Sequence, residues 1–187
     1  MQTMEDMAAA MVKQFRQVAR QIGLAPSSGE SAQGGSAAPL APASGSERAT
    51  GDIQRTVILA SIVEKETSVP EERPLVASVY SNRLAKRIAL DADPSIIYAE
   101  LLAGTYQGAL HHADMQFSSP YNTYRNAGLP PGPIGNPGRT SLEAAMHPAQ
   151  SDYYYFVADA AGHHRFAHTI EEHNKNVAAY RRAMRGQ

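Results

Sequence analysis

Thr56-Val57-Ile58-Leu59-Ala60-Ser61-Ile62-Val63-Glu64-Lys65-Glu66-Thr67 is the stretch on which the fold turns. It holds no Gly or Pro, and its apolar residues recur at helical spacing, which predicts a buried helix. At about 100° of rotation per residue, Ile58, Leu59, Ile62 and Val63 share one face centred near Leu59. Glu66 falls near the middle of that face, one turn further on, whereas Glu64 points the opposite way. The expectation is a solvated Glu64 and a Glu66 partly withdrawn from water. Desolvation raises a carboxyl pKa because the charged form loses hydration. A carboxylic acid still protonated near neutral pH is what general acid catalysis needs. The competing reading is a Glu serving only as a salt-bridge or capping partner.

Outward from this helix, residues 25–51 are mostly Ala, Pro, Ser and Gly, with Leu40 the one large apolar side chain. Such a segment cannot bury enough surface to offset chain entropy and reads as a flexible linker, with Asp52 as the cap of the helix beyond it. Before the linker, Met4, Met7, Met11, Phe15, Val18 and Ile22 make an amphipathic stripe, read as a helix docking on its own domain. The expected organisation is therefore an N-terminal helix over 1–24, a linker over 25–51 and a catalytic domain over 52–187.

After Glu66, residues 68–74 end this helix and start another, Pro70 suiting a helix start, and the helix over 75–84 has Leu75, Val76, Val79, Tyr80 and Leu84 inward. Asp93-Pro94 starts the next helix, with Asp93 as its cap. Residues 104–119 read as a loop or hairpin. Tyr121 to Gly138 is dense in Pro, Gly, Asn and Tyr, which predicts an ordered, shaped loop. Thr140, with Glu143 three residues on, has capping-box spacing; Ser141 lacks the partner. Tyr153 to Ala158 and His163 to His168 predict a β-hairpin. Thr169 and Glu172 form a second capping box, opening a last helix that buries Ile170, Val177 and Tyr180 and carries His173 and Asn174, read as structural polar contacts with the lesser alternative that they face the site. The fold class is α+β: a helical core around the Glu66 helix, a small antiparallel hairpin and long shaped loops.

Composition narrows the chemistry. The net charge is -1, so there is no electrostatic case for nucleic acid. No cysteine is present, which excludes disulfides and thiol catalysis. The seven His residues are spread out, and the His111-His112 pair lacks the acid spacing of a metal site, so no metal or cofactor is expected. No apolar run reaches the roughly 20 residues of a membrane span, and no signal peptide is visible.

Many short motifs stand in order along the chain: Ala60-Ser61-Ile62-Val63-Glu64-Lys65-Glu66-Thr67, Tyr80-Ser81-Asn82-Arg83-Leu84, Asp93-Pro94-Ser95, Tyr121-Asn122-Thr123-Tyr124, Gly128-Leu129-Pro130-Pro131-Gly132, Asn136-Pro137-Gly138, His147-Pro148-Ala149 and Glu172-His173-Asn174. Over roughly residues 52–182 the chain resembles the MltG (YceG-like) endolytic murein transglycosylases of bacteria. The resemblance implies Glu66 as the catalytic acid, cleavage of MurNAc–GlcNAc β-1,4 bonds within peptidoglycan strands, and 1,6-anhydroMurNAc products. It also suggests substrate contacts from Tyr121, Asn122, Thr123, Tyr124, Asn82, Asp93 and Asn136. Ala92 departs from the Thr or Ser common there in relatives, and Ala160-Ala161 from their Gly-rich turn. The resemblance further implies cell-wall synthases as partners, a place in the bacterial cell envelope, and a membrane anchor and LysM-like region that this chain lacks. A chain without them is expected to act more weakly on glycan. The alternatives are a hydrolytic muramidase, with Asp93 positioning water, and a non-catalytic glycan-binding module.

Overall fold

The computed structural model describes residues 4–24 and 45–185. Its elements are α1 (Met4–Gln21), α2 (Gly45–Glu66), α3 (Arg73–Ala85), α4 (Asp93–Ala103), α5 (Arg139–Met146), β1 (Tyr155–Ala158), β2 (His164–Ala167) and α6 (Ile170–Arg185). Short 3-10 turns stand at Pro70–Glu72 and His112–Gln116. The predominance of helix with one small antiparallel sheet is the expected α+β architecture.

The chain divides into two units, Met1–Arg55 and Thr56–Gln187. In the first, α1 closes on Gly23 at φ 75°, with the Leu24 N–H donating back to the Ala19 carbonyl. That left-handed residue suits Gly, which has no Cβ to clash. Met7 and Met11 of the predicted stripe are exposed, while Phe15, Val18 and Ile22 are half-buried. Of the segment read as linker, residues 25–44 lie outside those described. Its last seven residues belong to α2. Asp52 therefore sits inside a helix and is not its cap. Glu47, Arg48 and Ala49 are good helix formers that the overall composition of the segment obscured.

The second unit is built around the end of α2. Ile58, Leu59, Ile62 and Val63 are all buried, as the helical spacing predicts. With Val76, Ala77 and Tyr80 of α3, Leu90, Ala92, Ile134 and Ala144 they form the core. The burial extends past the apolar face. Ala60 and Ser61 are also fully buried, and the Ser61 hydroxyl donates to the Ile58 carbonyl (2.7 Å) while accepting the Ile134 N–H (2.9 Å). That one hydroxyl ties the proline-rich loop to the central helix. β1 and β2 pair antiparallel, Phe156 opposite Phe166 and Ala158 opposite His164. One face of the hairpin lays Phe156 and Phe166 on the core, and α6 packs beside both strands.

Three further local expectations need correcting. Asp93 is the first residue of α4 rather than its cap; Ala92 holds the cap position and no side chain caps it. α5 begins at Arg139 with Gly138 at the cap, so neither Thr140 nor Ser141 serves as one. Both hydroxyls have distant partners instead: Arg73 donates to Thr140, and Ser141 donates to Glu64. Residues 104–119 take the loop reading, without a hairpin; a left-handed Gly104 ends α4, and the segment runs into the 3-10 turn. Thr169 does cap α6, accepting the Glu172 N–H at 3.2 Å, while the Glu172 carboxylate reaches one residue further back, to the His168 N–H. Ile170 is exposed rather than buried, and Val177 and Tyr180 are half-buried.

Replacing Ser61 by Ala strands the buried Ile134 N–H. The expected loss is about 1–3 kcal/mol of unfolding free energy, read as a lower urea midpoint with an unchanged slope.

Candidate active site

α2 ends at Glu66, and α3 runs beside it so that Tyr80, fully buried, donates its phenol O–H to Glu66 Oε1. The half-buried carboxyl opens on a cleft of about 580 Å³. The cleft is walled by Leu90, Asp91 and Asp93 before and at the start of α4, by Tyr124, and by the hairpin residues Tyr154 to Ala158. Burial pushes the Glu66 pKa up; the Tyr80 hydrogen bond opposes this and the negative charge of Asp93 reinforces it, leaving a value of about 7. Burial, the Glu66 charge and the Glu66 hydrogen bond push the Tyr80 phenol well above its ordinary value, so Tyr80 remains the donor.

Asp93 is exposed, and its Oδ1 accepts the Tyr124 hydroxyl at 2.6 Å. Burial and the Asp93 contact raise the Tyr124 pKa, so this phenol also stays protonated. Glu66, Asp93 and Tyr124 are the three sequence-predicted site residues that the fold brings to one cleft.

The others stand behind it or away from it. Asn82 donates to the Ser151 and Tyr153 carbonyls, both at 2.9 Å, fixing the approach to β1. Asn122 is buried and donates to the Met115 and Phe117 carbonyls while accepting the Tyr124 N–H. Thr123, also buried, accepts the Ala92 N–H at 3.0 Å and bonds Ser95 at 2.9 Å. Thr123 locks the loop that carries Tyr124 onto the start of α4, and Asn122 ties it to the segment around the second 3-10 turn. Tyr121 packs on the core with its ring 4.9 Å from that of Tyr98. Asn136 is exposed and does not line the cleft.

Glu64 is not the solvated residue its helical position predicts. Its Oε2 accepts the Ser141 hydroxyl (2.6 Å) and the Gly138 N–H (2.9 Å), and its Oε1 lies 3.3 Å from Arg73. A Cβ on Gly138 would stand 3.3 Å from Glu64 Oε2, so the close approach suits Gly. Partial burial alone would raise the Glu64 pKa; the Ser141 and Gly138 hydrogen bonds and the Arg73 charge outweigh it and hold the group below the ordinary carboxylate value.

Reading the sequence also missed Arg83 and His164. Arg83 is buried and donates to the Tyr154, Ala89 and Leu90 carbonyls and to Asp91, stitching β1's approach to the turn before α4. His164 and His173 both line the cleft, and His173 stacks on Tyr155 at 5.4 Å. Only the inward position of Tyr80 was legible; nothing local couples it to Glu66. Among the described residues no group of three or more His, Asp or Glu is placed to hold a metal ion, and no helix is long and apolar enough to cross a membrane.

A desolvated acid at a helix end, held by a buried phenol in an open cleft, is one poised proton donor. The YceG-like family model matches residues 1–179, and the chain belongs to that family. An endolytic murein transglycosylase of Bacillus subtilis is 42% identical over 128 residues, covering 68% of this chain and 35% of that protein. One from Streptococcus pneumoniae is 36% identical over 131 residues, covering 68% of this chain and 24% of that protein. The chain thus spans about a third or less of the curated relatives it matches. The crystal structure of a yceG-like protein from Listeria monocytogenes superimposes with a TM-score of 0.59 at 45% identity, over 66% of this chain and 38% of that one.

The raised Glu66 pKa carries a stability cost with a definite sign. Below about pH 4.5 the carboxyl is protonated whether folded or unfolded, and the cost is absent. Between there and about pH 7 only the unfolded chain ionises, so stability falls as pH rises. Glu66→Gln removes this term while keeping an acceptor for Tyr80. Relative to the parent, the variant is expected to gain on the order of 2 kcal/mol of unfolding free energy between about pH 5 and about pH 8, measured by denaturant titration at each pH.

Proposed function

We propose that the 56–187 unit is an endolytic lytic transglycosylase acting on peptidoglycan glycan strands. The observation that carries the reading is the Glu66 carboxyl, raised to about 7 where it meets the cleft. The names of the Bacillus and Streptococcus relatives support the substrate and the endolytic mode.

In this reading protonated Glu66 donates its proton to the glycosidic oxygen between MurNAc and GlcNAc, and the C1–O bond breaks with charge developing at C1. The carboxylate so formed is stabilised by the Tyr80 O–H. It then takes the proton of the C6 hydroxyl of the same MurNAc, whose oxygen closes on C1. The products are a 1,6-anhydroMurNAc end and a free GlcNAc 4-hydroxyl, with no net consumption of water. One acid suffices because the substrate supplies the nucleophile, in contrast to the two-carboxylate glycosidases. Asp93 raises the Glu66 pKa through its charge and, with Tyr124, supplies a polar wall for the sugar. Internal cuts of this kind would end growing strands and place the protein's work in the cell envelope. Association with cell-wall synthases belongs to the same proposal.

Digestion of peptidoglycan with the parent chain and with Glu66→Gln, followed by mass spectrometry, tests the reading. Anhydro-muropeptides from the parent alone are expected. Reducing ends would instead establish a hydrolase, with Asp93 as the base.

The rate should fall as pH rises through about 7, where Glu66 loses the proton it must donate. The Tyr80 hydrogen bond favours the ionised form, so Tyr80→Phe is expected to move this limb to higher pH. A pH–rate profile of the two proteins in which the limb stays put would contradict the role given to Tyr80.

A further inference from the structure

One pair of side chains at the cleft wall has no part in the mechanism above. Glu72, in the 3-10 turn before α3, reaches the tip of the hairpin. Its Oε2 lies 2.7 Å from His164 Nδ1, and its Oε1 accepts the His164 N–H at 3.1 Å and lies 3.1 Å from His163 Nδ1. Partial burial would raise the Glu72 pKa, but the His164 and His163 contacts outweigh it and hold the carboxylate below its ordinary value. An ionised carboxylate accepts, so His164 Nδ1 donates to it. The tautomer is thereby fixed and Nε2 is the nitrogen left available.

The imidazole is held firmly: its side chain is only 10% exposed, and its ring stands edge-on to Phe156 at 5.3 Å. Phe156 in turn stands edge-on to Tyr80, the donor to Glu66, at 5.7 Å. His164 lines the same cleft as Glu66, one aromatic ring further along from Tyr80. A polymer lying along this cleft with one linkage at Glu66 presents a neighbouring unit, not the bond being cut, to His164.

We propose that the Glu72–His164 pair is a glycan-binding device: His164 Nε2 hydrogen-bonds a hydroxyl of a sugar next to the cleavage point, and Glu72 positions the ring to do so. The assignment rests on the murein reading for the identity of the sugar but on the cleft geometry for the group. A tautomer fixed by a carboxylate favours recognition, because the ring is pre-oriented before the ligand arrives.

The test separates binding from both catalysis and folding. Glu66→Gln protein, which cannot turn over, is titrated with a purified peptide-free glycan strand of several disaccharide repeats by calorimetry, alone and with His164→Asn added. The Asn amide nitrogen stands about where Nδ1 does, so it keeps the bond to Glu72 while deleting Nε2. The expected result is a Kd about tenfold higher, the loss of one net hydrogen bond, in protein that still unfolds in one cooperative step above the titration temperature. In turnover assays His164→Asn should raise KM and leave kcat nearly intact. Glu72→Gln should weaken binding less, since its amide oxygen still accepts from Nδ1. A Kd for His164→Asn within twofold of the parent, or no saturable binding by the Glu66→Gln protein, overturns the proposal and leaves the pair a structural tie of the hairpin. Failure of the murein reading shows separately: the parent chain would release no anhydro ends, whatever His164→Asn does to Kd.

Discussion

The hydrogen bond from Tyr80 to Glu66 is where two opposing requirements meet. The end of α2 is drawn into the core by Ile62 and Val63, and that burial makes the Glu66 charge expensive. A carboxyl desolvated without a partner would hold its proton too tightly to give it up. The buried phenol counters this, because its O–H favours the ionised form. The balance leaves the acid at about 7, where it can both release a proton and take one back. The rest of the unit follows from this pair. α3 must lie close enough to present Tyr80, and the hairpin must cover Tyr80 with Phe156.

Glu64 and Glu66 show how position on one helix end separates two identical side chains. Glu66 faces a cleft with one neutral donor and a nearby negative charge, and its pKa rises. Glu64, two residues earlier, meets a hydroxyl, a backbone N–H and the Arg73 guanidinium, and its pKa falls. The first keeps much of its proton near neutral pH; the second stays charged and anchors the Asn136-Pro137-Gly138 loop and the start of α5. Exchanging their environments would abolish both roles.

What the sequence made legible follows the range of the interactions. The apolar spacing of Ile58, Leu59, Ile62 and Val63 is local, and it located both the core helix and Glu66. The hairpin, the Thr169 cap and the helix starting near Pro74 were equally local. The solvated Glu64 was misjudged because its partners, Gly138 and Ser141, are 74 and 77 residues away. Thr140 and Asp93 were taken for caps because that is what such residues do for nearby backbone; tertiary partners, Arg73 and Tyr124, claimed them instead. The loop residues Asn122 and Thr123 were legible as important but not in kind. Their side chains are consumed in holding the loop, and of that Tyr-Asn-Thr-Tyr run only Tyr124 reaches the cleft.

The disposition of Asp93 bears on which reaction the cleft suits. An inverting hydrolase needs a second carboxylate free to take a proton from water at the sugar's far face. Asp93 has one oxygen engaged by the Tyr124 hydroxyl, a phenol held protonated by burial and by Asp93 itself. Asp93 therefore does not have that oxygen free to meet a water. Its charge instead acts on Glu66, raising the pKa of the proton donor. Asp93 thus strengthens the acid's hold on its proton while one of its own oxygens stays committed to Tyr124. Under the proposed reading, that arrangement accords with one carboxyl both giving and recovering the proton and with a nucleophile that belongs to the substrate.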